Sequence, residues 1–98
     1  MIHHIVMIKL KTTLDANEKN AFKQKIKLAL ESLPSLIEEI KYYEVGLNII
    51  ESGRAFDIVL ISHFDSSDHL NKYIVHPAHK DVVKMINQHS EHIISVDY

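Results

Sequence analysis

The chain contains no cysteine, which excludes disulfide bonds, thiolate metal ligands and a cysteine nucleophile. Glycine and proline occur only twice each, and no glycine-rich phosphate-binding loop is present. Every apolar run is far shorter than the ~20 residues of a membrane-spanning helix, and the first residues lack the basic segment and cleavage site of a signal peptide. These absences predict a cytoplasmic protein that makes no contact with a membrane.

Neither basic nor acidic residues predominate in this sequence. The 98 residues carry a formal net charge of −2, and the longest basic stretch is Lys9-Leu-Lys11. This pattern is not typical of a nucleic-acid-binding surface, and we expect no nucleic-acid partner. With no repeat and no linker, residues 1–98 are predicted to form a single domain. A domain of this size buries only about 60–65% of the surface that its unfolded chain exposes, which limits the core of a monomer.

The hydrophobic patterns predict strands and helices in alternation. Asp15 and Glu18 have the spacing of a capping box that begins a helix, and Pro34 ends that helix. Gly46 indicates a bulge or bend inside the second strand. The predicted strands cover residues 2–11, 36–50, 55–64 and 93–98, and the predicted helices cover residues 16–33, about 67–73 and 78–88.

This order, β-α-β-β-α-β, predicts an α+β ferredoxin-like fold, in which an antiparallel sheet carries both helices on one face. Such a sheet usually shows polar side chains on its other face. Here Ile5, Met7, Val59 and Ile61 are expected on that uncovered face. We therefore predict that the protein associates with a second copy of itself, and that these four residues form the interface of the homodimer.

The most distinctive segment is Tyr73-Ile-Val-His76-Pro77-Ala78-His79. Pro77 excludes a continuous helix and moves His76 away from helical geometry. Tyr73 is then expected at the end of one helix and His79 in the first turn of the next. A phenol and an imidazole are thus predicted to converge at a break between two helices, where a pocket can form.

Together with the opening His4-Ile-Val-Met-Ile-Lys and the closing Val96-Asp97-Tyr98, this segment resembles the Dabb family, the stress-responsive dimeric α+β barrel domains. In that family a Tyr-x-x-His-Pro-x-His segment follows the third strand. The resemblance covers essentially the whole chain. It implies two ferredoxin-like subunits whose sheets close face to face into a barrel.

For function, the resemblance implies either a stress-associated binding protein or an enzyme. In olivetolic acid cyclase, a plant member of the family, the residue matching His79 is the catalytic base and the residue matching Tyr73 orients the substrate. The residue matching His4 lines the same cavity. The chain differs from that enzyme at Ile58 and Ile26, where the cyclase has a pocket histidine and a pocket tyrosine. Polyketide cyclisation is therefore not the favoured prediction.

We predict a small apolar cavity between sheet and helices that binds a small hydrophobic or aromatic molecule without a cofactor. Its expected lining residues are His4, Val6, Ile8, Ile26, Ile58, Leu60, Tyr73 and His79. One alternative is an enzyme, a cyclase-like lyase or a cofactor-free monooxygenase, with His79 as base and Tyr73 as orienting acid. A further alternative is a structural stress protein without a ligand, in which His79 caps the helix junction and bonds to Tyr73.

Histidine is the one residue type that is unusually frequent, with 8 copies in the chain. His76 and His79 form a His-x-x-His pair, but a metal site needs at least a third ligand, and no other metal-binding spacing is present. We therefore predict no metal. The lysines of the first helix, Lys19, Lys23, Lys25 and Lys27, are predicted to form a solvated surface.

Overall fold

The computed structural model describes residues 1–98. Four strands and three helices follow one another along the chain, and a single 3-10 turn follows the first helix. The elements are β1 (Ile2–Leu10), α1 (Ala16–Glu31), the 3-10 turn (Leu33–Ser35), β2 (Tyr42–Leu47), β3 (Ile58–Phe64), α2 (Ser67–Val75), α3 (Pro77–His89) and β4 (Ser90–Asp97).

The strands form one sheet in the order β2-β3-β1-β4, and every neighbouring pair is antiparallel. The first and last strands of the chain therefore lie side by side. This arrangement confirms the predicted ferredoxin-like fold. None of the helices combines the length and the apolar composition needed to cross a bilayer.

The start of α1 is fixed by the predicted capping box. The Glu18 backbone N–H donates to the Asp15 carboxylate at 2.8 Å, and the Asp15 backbone N–H donates to the Glu18 carboxylate at 3.1 Å. Two of the otherwise unpaired donors of the first helical turn are satisfied in this way. The helix ends at Glu31, just before the 3-10 turn that contains Pro34.

The second strand is much shorter than the predicted range 36–50, and that prediction is wrong for residues 36–41 and 48–50. The backbone N–H groups of Leu36 and Ile37 both donate to the Leu33 carbonyl at 2.9 Å, which closes a turn. Ile37 is only 1% exposed, so its side chain contributes to the core from a turn rather than from a strand. Apolar composition alone does not distinguish these two uses.

Gly46 does not mark a bulge, because the pairing of β2 with β3 is regular through Gly46 and Val59. A Cβ atom on Gly46 would lie 3.0 Å from Cγ1 of Val59. The glycine thus leaves space for the valine side chain on the neighbouring strand.

The core lies between the sheet and the helices. Along β3, burial alternates at every residue: Ile58, Leu60, Ser62 and Phe64 are buried, whereas the residues between them are half-buried. We call the buried side of the sheet the covered face. Burial of an aliphatic side chain of this kind contributes roughly 1.5–3 kcal/mol. The buried apolar core comprises Ile8, Leu10, Ile26, Leu30, Leu33, Ile37, Val45, Ile58, Leu60, Phe64, Leu70, Tyr73 and Ile86.

The opposite side of the sheet, here the open face, has no helix on it. Its strand pairing sets Ile5 opposite Ile61 and Met7 opposite Val59, as the alternation predicted. The fourth strand extends this apolar surface with two residues that were not included in the prediction. Ile94 pairs with Met7 and is 50% exposed, and Val96 pairs with Ile5 and is 55% exposed.

At one end of the open face, aromatic rings form a row across β2, β3 and β1 to Tyr98, the residue that follows β4. The rings of Tyr42 and His63 stack at 4.8 Å, and those of His3 and Tyr98 stack at 4.8 Å. The His3 and His63 rings join the two pairs at 4.3 Å. The row therefore extends the flat contact surface of the open face to the edge of the sheet.

The lysines of α1 are only partly solvated, so the prediction for this surface is wrong in part. Lys23 is 6% exposed, and its ammonium donates to the Asn48 carbonyl at 3.3 Å. The Lys27 ammonium donates to the Val45 carbonyl at 2.9 Å. Both carbonyls belong to β2 or its immediate continuation. The aliphatic stems of these lysines cover the sheet while their charged ends reach its edge.

Candidate functional site

A cavity of about 210 Å³ lies between the covered face and the helices α2 and α3. One wall is formed by β4, where Ile93 is 41% exposed, so the cavity is open to solvent on that side. Its polar groups are few, and they belong to His4, Tyr73, His79 and Ser95. The apolar lining consists of Val6, Ile8, Leu30, Leu60, Ile74, Val83, Ile86 and Ile93, and the cavity is also bordered by Ile94, whose place in β4 assigns its side chain to the open face.

His79 is positioned by the break between α2 and α3. Pro77 is the first residue of α3, and the His76 side chain caps this helix by accepting from the Ala78 backbone N–H at 3.1 Å. Nδ1 of His79 lies 3.0 Å from the Ile74 carbonyl at the end of α2. Because a carbonyl only accepts, Nδ1 carries the proton in this contact, and Nε2 of the neutral ring keeps its lone pair.

Burial lowers the pKa of His79 below its ordinary value, which favours the neutral ring. The hydrogen bond to the Ile74 carbonyl opposes this shift, whereas the nearby His4 and His76 reinforce it. The imidazole is therefore predominantly neutral at neutral pH. A neutral ring with a free Nε2 is able to accept a hydrogen bond or a proton.

Tyr73 is fully buried, and its ring lies 4.2 Å from the His79 ring, centre to centre. The expected hydrogen bond from Tyr73 to His79 is absent. The Tyr73 hydroxyl instead lies 2.7 Å from the hydroxyl of Tyr43 on β2. Burial raises the pKa of Tyr73 to about 12, and burial also raises the pKa of Tyr43, so both phenols stay protonated near neutral pH.

His4 lies on the covered face of β1 and also borders the cavity. Its Nδ1 is hydrogen-bonded to the Asp97 carboxylate on β4, directly across the strand pair. A carboxylate in this position orients the imidazole and holds a proton on Nδ1. No role was predicted for Asp97 from the sequence. The predicted fold could have indicated this residue, because antiparallel pairing places the start of the first strand beside the end of the last strand.

The cavity brings together most of the residues predicted to line it. These are His4, Val6, Ile8, Leu60, Tyr73 and His79. The other two, Ile26 and Ile58, lie outside the cavity. Ile26 is 0% exposed and Ile58 is 2% exposed, and both are packed in the core. Both match pocket positions of a related enzyme, and Ile58 was also expected in the cavity because it shares a face of β3 with Leu60.

Several lining residues were missed by the sequence analysis. Ile74 closes the cavity beside the break between the helices, and Ile93 and Ser95 contribute from β4. Alternation along β4 would have identified the last two, because residues 93 and 95 lie on the same face of a strand. Ile74 carried no separate signal, since an apolar residue near a helix end is also typical of the core.

No group of three or more histidine or acidic side chains in the chain is arranged to hold a metal ion. The His-x-x-His pair does not bring its two rings to a common point. The His76 ring caps α3, whereas the His79 ring contacts the end of α2.

A comparison with protein families matches residues 2–98 to the model described as the stress responsive A/B barrel domain. An uncharacterized protein of Streptomyces coelicolor is 30% identical over 98 residues, which is 100% of this chain and 98% of that protein.

Among solved structures, a dimeric protein of unknown function with a ferredoxin-like fold from Bacteroides fragilis is similar to this chain. It is 36% identical, with a TM-score of 0.90 over 99% of this chain and 93% of that one. The hydroxynitrile lyase of Passiflora edulis is 19% identical, with a TM-score of 0.80 over 99% of this chain and 90% of that one. At that identity the likeness concerns the fold alone.

Proposed function

The chain belongs to the family of stress-responsive A/B barrel domains, and on this premise we propose that it is a homodimer that binds a small apolar or aromatic molecule. The binding site is the cavity between the covered face and the helices. The observation that carries this proposal is the composition of the cavity walls, which are apolar except for a few polar groups. Such a combination is typical of sites for small organic ligands.

The open face supports the homodimer. Six aliphatic or thioether side chains share it, and no helix of the same chain covers them. Contiguous apolar patches of this kind usually mark an interaction surface. The similar Bacteroides fragilis protein is described as dimeric. Packing two open faces together would bury the patch of each subunit against an identical patch, as in a two-fold interface. The members of the patch are Ile5, Met7, Val59, Ile61, Ile94 and Val96.

Analytical ultracentrifugation of Ile61→Lys tests the dimer. A lysine at the centre of the open face would be buried without a partner, which costs several kcal/mol. We expect the wild type to sediment as a dimer at micromolar concentration and Ile61→Lys as a folded monomer. The matched control is Leu28→Lys, on the exposed side of α1, where the residue is 68% exposed and dimerisation should be unchanged. A monomeric wild type, or a variant that still dimerises like the control, would contradict the proposal.

The size of the cavity limits the ligand. At about 210 Å³ it is smaller than the ~300–1,000 Å³ typical of pockets for drug-sized molecules. An apolar cavity of roughly 150 Å³ is sufficient for benzene in another protein. The cavity therefore fits a single aromatic ring or a short acyl chain.

Titration of the isotope-labelled protein with toluene tests this cavity directly. We expect the methyl resonances of lining residues such as Val6 and Leu60 to shift and the melting temperature to rise. Val83→Phe should fill the cavity from its half-buried wall and abolish these effects, whereas Leu28→Phe on the exposed surface should not. If toluene does not shift the methyl resonances of the wild type, or shifts those of Val83→Phe equally, the result would argue against a ligand cavity.

A second candidate function is general-base catalysis by His79, favoured by its neutral ring and the free Nε2 beside the cavity. The imidazole would accept a proton from an acidic C–H bond of the bound molecule, as in a lyase or a cofactor-free oxygenase. The Tyr73 ring would form a wall of the site, while its hydroxyl stays hydrogen-bonded to the Tyr43 hydroxyl. We consider this reaction class as the alternative to binding alone.

Hydrogen–deuterium exchange at the methyl group of acetophenone measures this base activity without knowledge of the natural substrate. The wild type should accelerate exchange in deuterated buffer, and His79→Gln should abolish the acceleration. His89→Gln serves as control, because His89 stacks on Phe22 at 3.8 Å and lies outside the cavity lining. If the wild type binds toluene but exchanges acetophenone no faster than buffer does, the protein is a binding protein and base catalysis by His79 is excluded.

A further inference from the structure

A groove on the surface of α3 continues outward from the cavity. Three of its lining residues, Ile74, His79 and Val83, also line the cavity. The two spaces therefore meet at these side chains, and a molecule in the cavity is adjacent to the groove. The groove lies on the helical side of the domain, away from the open face. Its remaining lining residues are Lys80, Lys84, Asn87 and Gln88.

The groove is positively charged. Lys80 and Lys84 are four residues apart, so they lie on one side of the helix. Neither of them takes part in any of the ion pairs of the chain. No residue that lines the groove is acidic. In a protein whose net charge is −2, this is a local concentration of unpaired ammonium groups beside an apolar cavity.

We propose that the ligand is a small amphipathic carboxylate, with its apolar body in the cavity and its carboxylate in the groove between Lys80 and Lys84. This inference rests on the proposed binding function and names the class of ligand. The carboxylate would remain in contact with water, so it would avoid the large cost of burying a charge. The two ammonium groups would attract it, and the side-chain amides of Asn87 and Gln88 would offer further donors.

The same arrangement disfavours other ligands of equal size. An amine would face two like charges and would lose affinity. An alcohol would gain hydrogen bonds with the amides and with Nε2 of His79, but no ion pair. The neutral His79 ring adds no third positive charge at the junction of cavity and groove, so the attraction of the groove for an anion comes from the two lysines.

Three probes with the same ring and different heads test the proposal: phenylacetate, 2-phenylethanol and 2-phenylethylamine. Affinities are measured with the full-length protein by titration calorimetry and by NMR. We expect phenylacetate to bind best and the amine worst. The variant Lys80→Gln/Lys84→Gln should weaken the binding of phenylacetate roughly twofold to thirtyfold, because each of the two exposed ion pairs contributes ~0.2–1 kcal/mol. Its affinity for 2-phenylethanol should be unchanged.

Lys25→Gln/Lys72→Gln is the matched control, since both residues are exposed and lie outside groove and cavity while the change in net charge is the same. Loss of phenylacetate affinity in this control as well would assign the effect to net charge and overturn the proposal. Equal binding of the acid and the alcohol to the wild type would also overturn it, yet would leave the cavity as a binding site. If none of the three probes and no toluene binds, the proposed binding function fails together with this inference.

Discussion

Neighbouring residues of β3 have similar side chains and very different surroundings. Leu60 on the covered face is 3% exposed, whereas Ile61 on the open face is only half-buried in the single chain. The same contrast holds on β2, where Tyr43 is bonded to the buried Tyr73 and its neighbour Tyr42 is exposed and bonded to Glu44. Composition alone does not separate the two faces, since both are rich in aliphatic residues.

The difference between the faces shows how a small domain divides its apolar residues between two tasks. The covered face is completed by helices of the same chain and contains the cavity. The open face has no cover within the chain, and we assign it to a second copy. Experiments that act on one face at a time should therefore have separable effects on folding and on association.

The largest effect is expected from truncating adjacent residues of β3. Leu60→Ala should lower the free energy of unfolding by about 2–5 kcal/mol, because it removes buried apolar atoms from the core and enlarges the adjoining cavity. Ile61→Ala should have a smaller effect, and that effect should grow with protein concentration as the dimer forms. Urea unfolding at two concentrations measures both. Equal and concentration-independent losses would mean that the two faces do not differ in this way.

A smaller effect is expected from the two adjacent tyrosines of β2. Tyr43→Phe removes the partner of the buried Tyr73 hydroxyl and should destabilise the fold by about 1–3 kcal/mol. Tyr42→Phe removes only an exposed contact with Glu44 and should stay within about 0.5 kcal/mol. Thermal unfolding compares the two variants. A Tyr43→Phe variant as stable as Tyr42→Phe would show that the hydroxyl pair contributes little to the covered face.

The smallest effect concerns the titration of His79, which α3 places beside the cavity on the covered side of the sheet. Its folded-state pKa is lowered by burial, so the unfolded chain takes up a proton first as the pH falls. The stabilising effect of the neutral ring is complete above about pH 6.5 and is lost as the pH falls through the lower folded-state value. His79→Gln should remove this component of acid sensitivity. An NMR titration of wild-type His79 with a midpoint at or above the ordinary value would contradict it.

The sequence predicted the fold well because its main signals are local. The capping box of Asp15 and Glu18, the proline after the first helix and the runs of β-branched and aliphatic residues in β1 and β3 all act within a few residues. The prediction of a strand at residues 36–41 was wrong because Ile37 is buried from a turn and not from a strand. An apolar residue has the same appearance in a sequence whether a strand or a turn carries it.

The site was predicted less completely, because its contacts join distant parts of the chain. His4 and His79 were found from their patterns and from the family resemblance. Asp97 and Tyr43 were not, since their partners His4 and Tyr73 are 93 and 30 residues away. Ile26 and Ile58 were assigned to the cavity by likeness of position, and their aliphatic side chains pack into the core instead.

The two lysines of α1 that reach β2 have a consequence for a protein with an exposed apolar sheet face. The outer strand of a sheet is a template on which further strands can add, and such growth leads to fibres. Lys23 and Lys27 occupy carbonyls along this rim and leave positive charges there. A strand approaching sideways would have to displace them. Edge-wise addition of a further strand along β2 is therefore disfavoured before any partner is met.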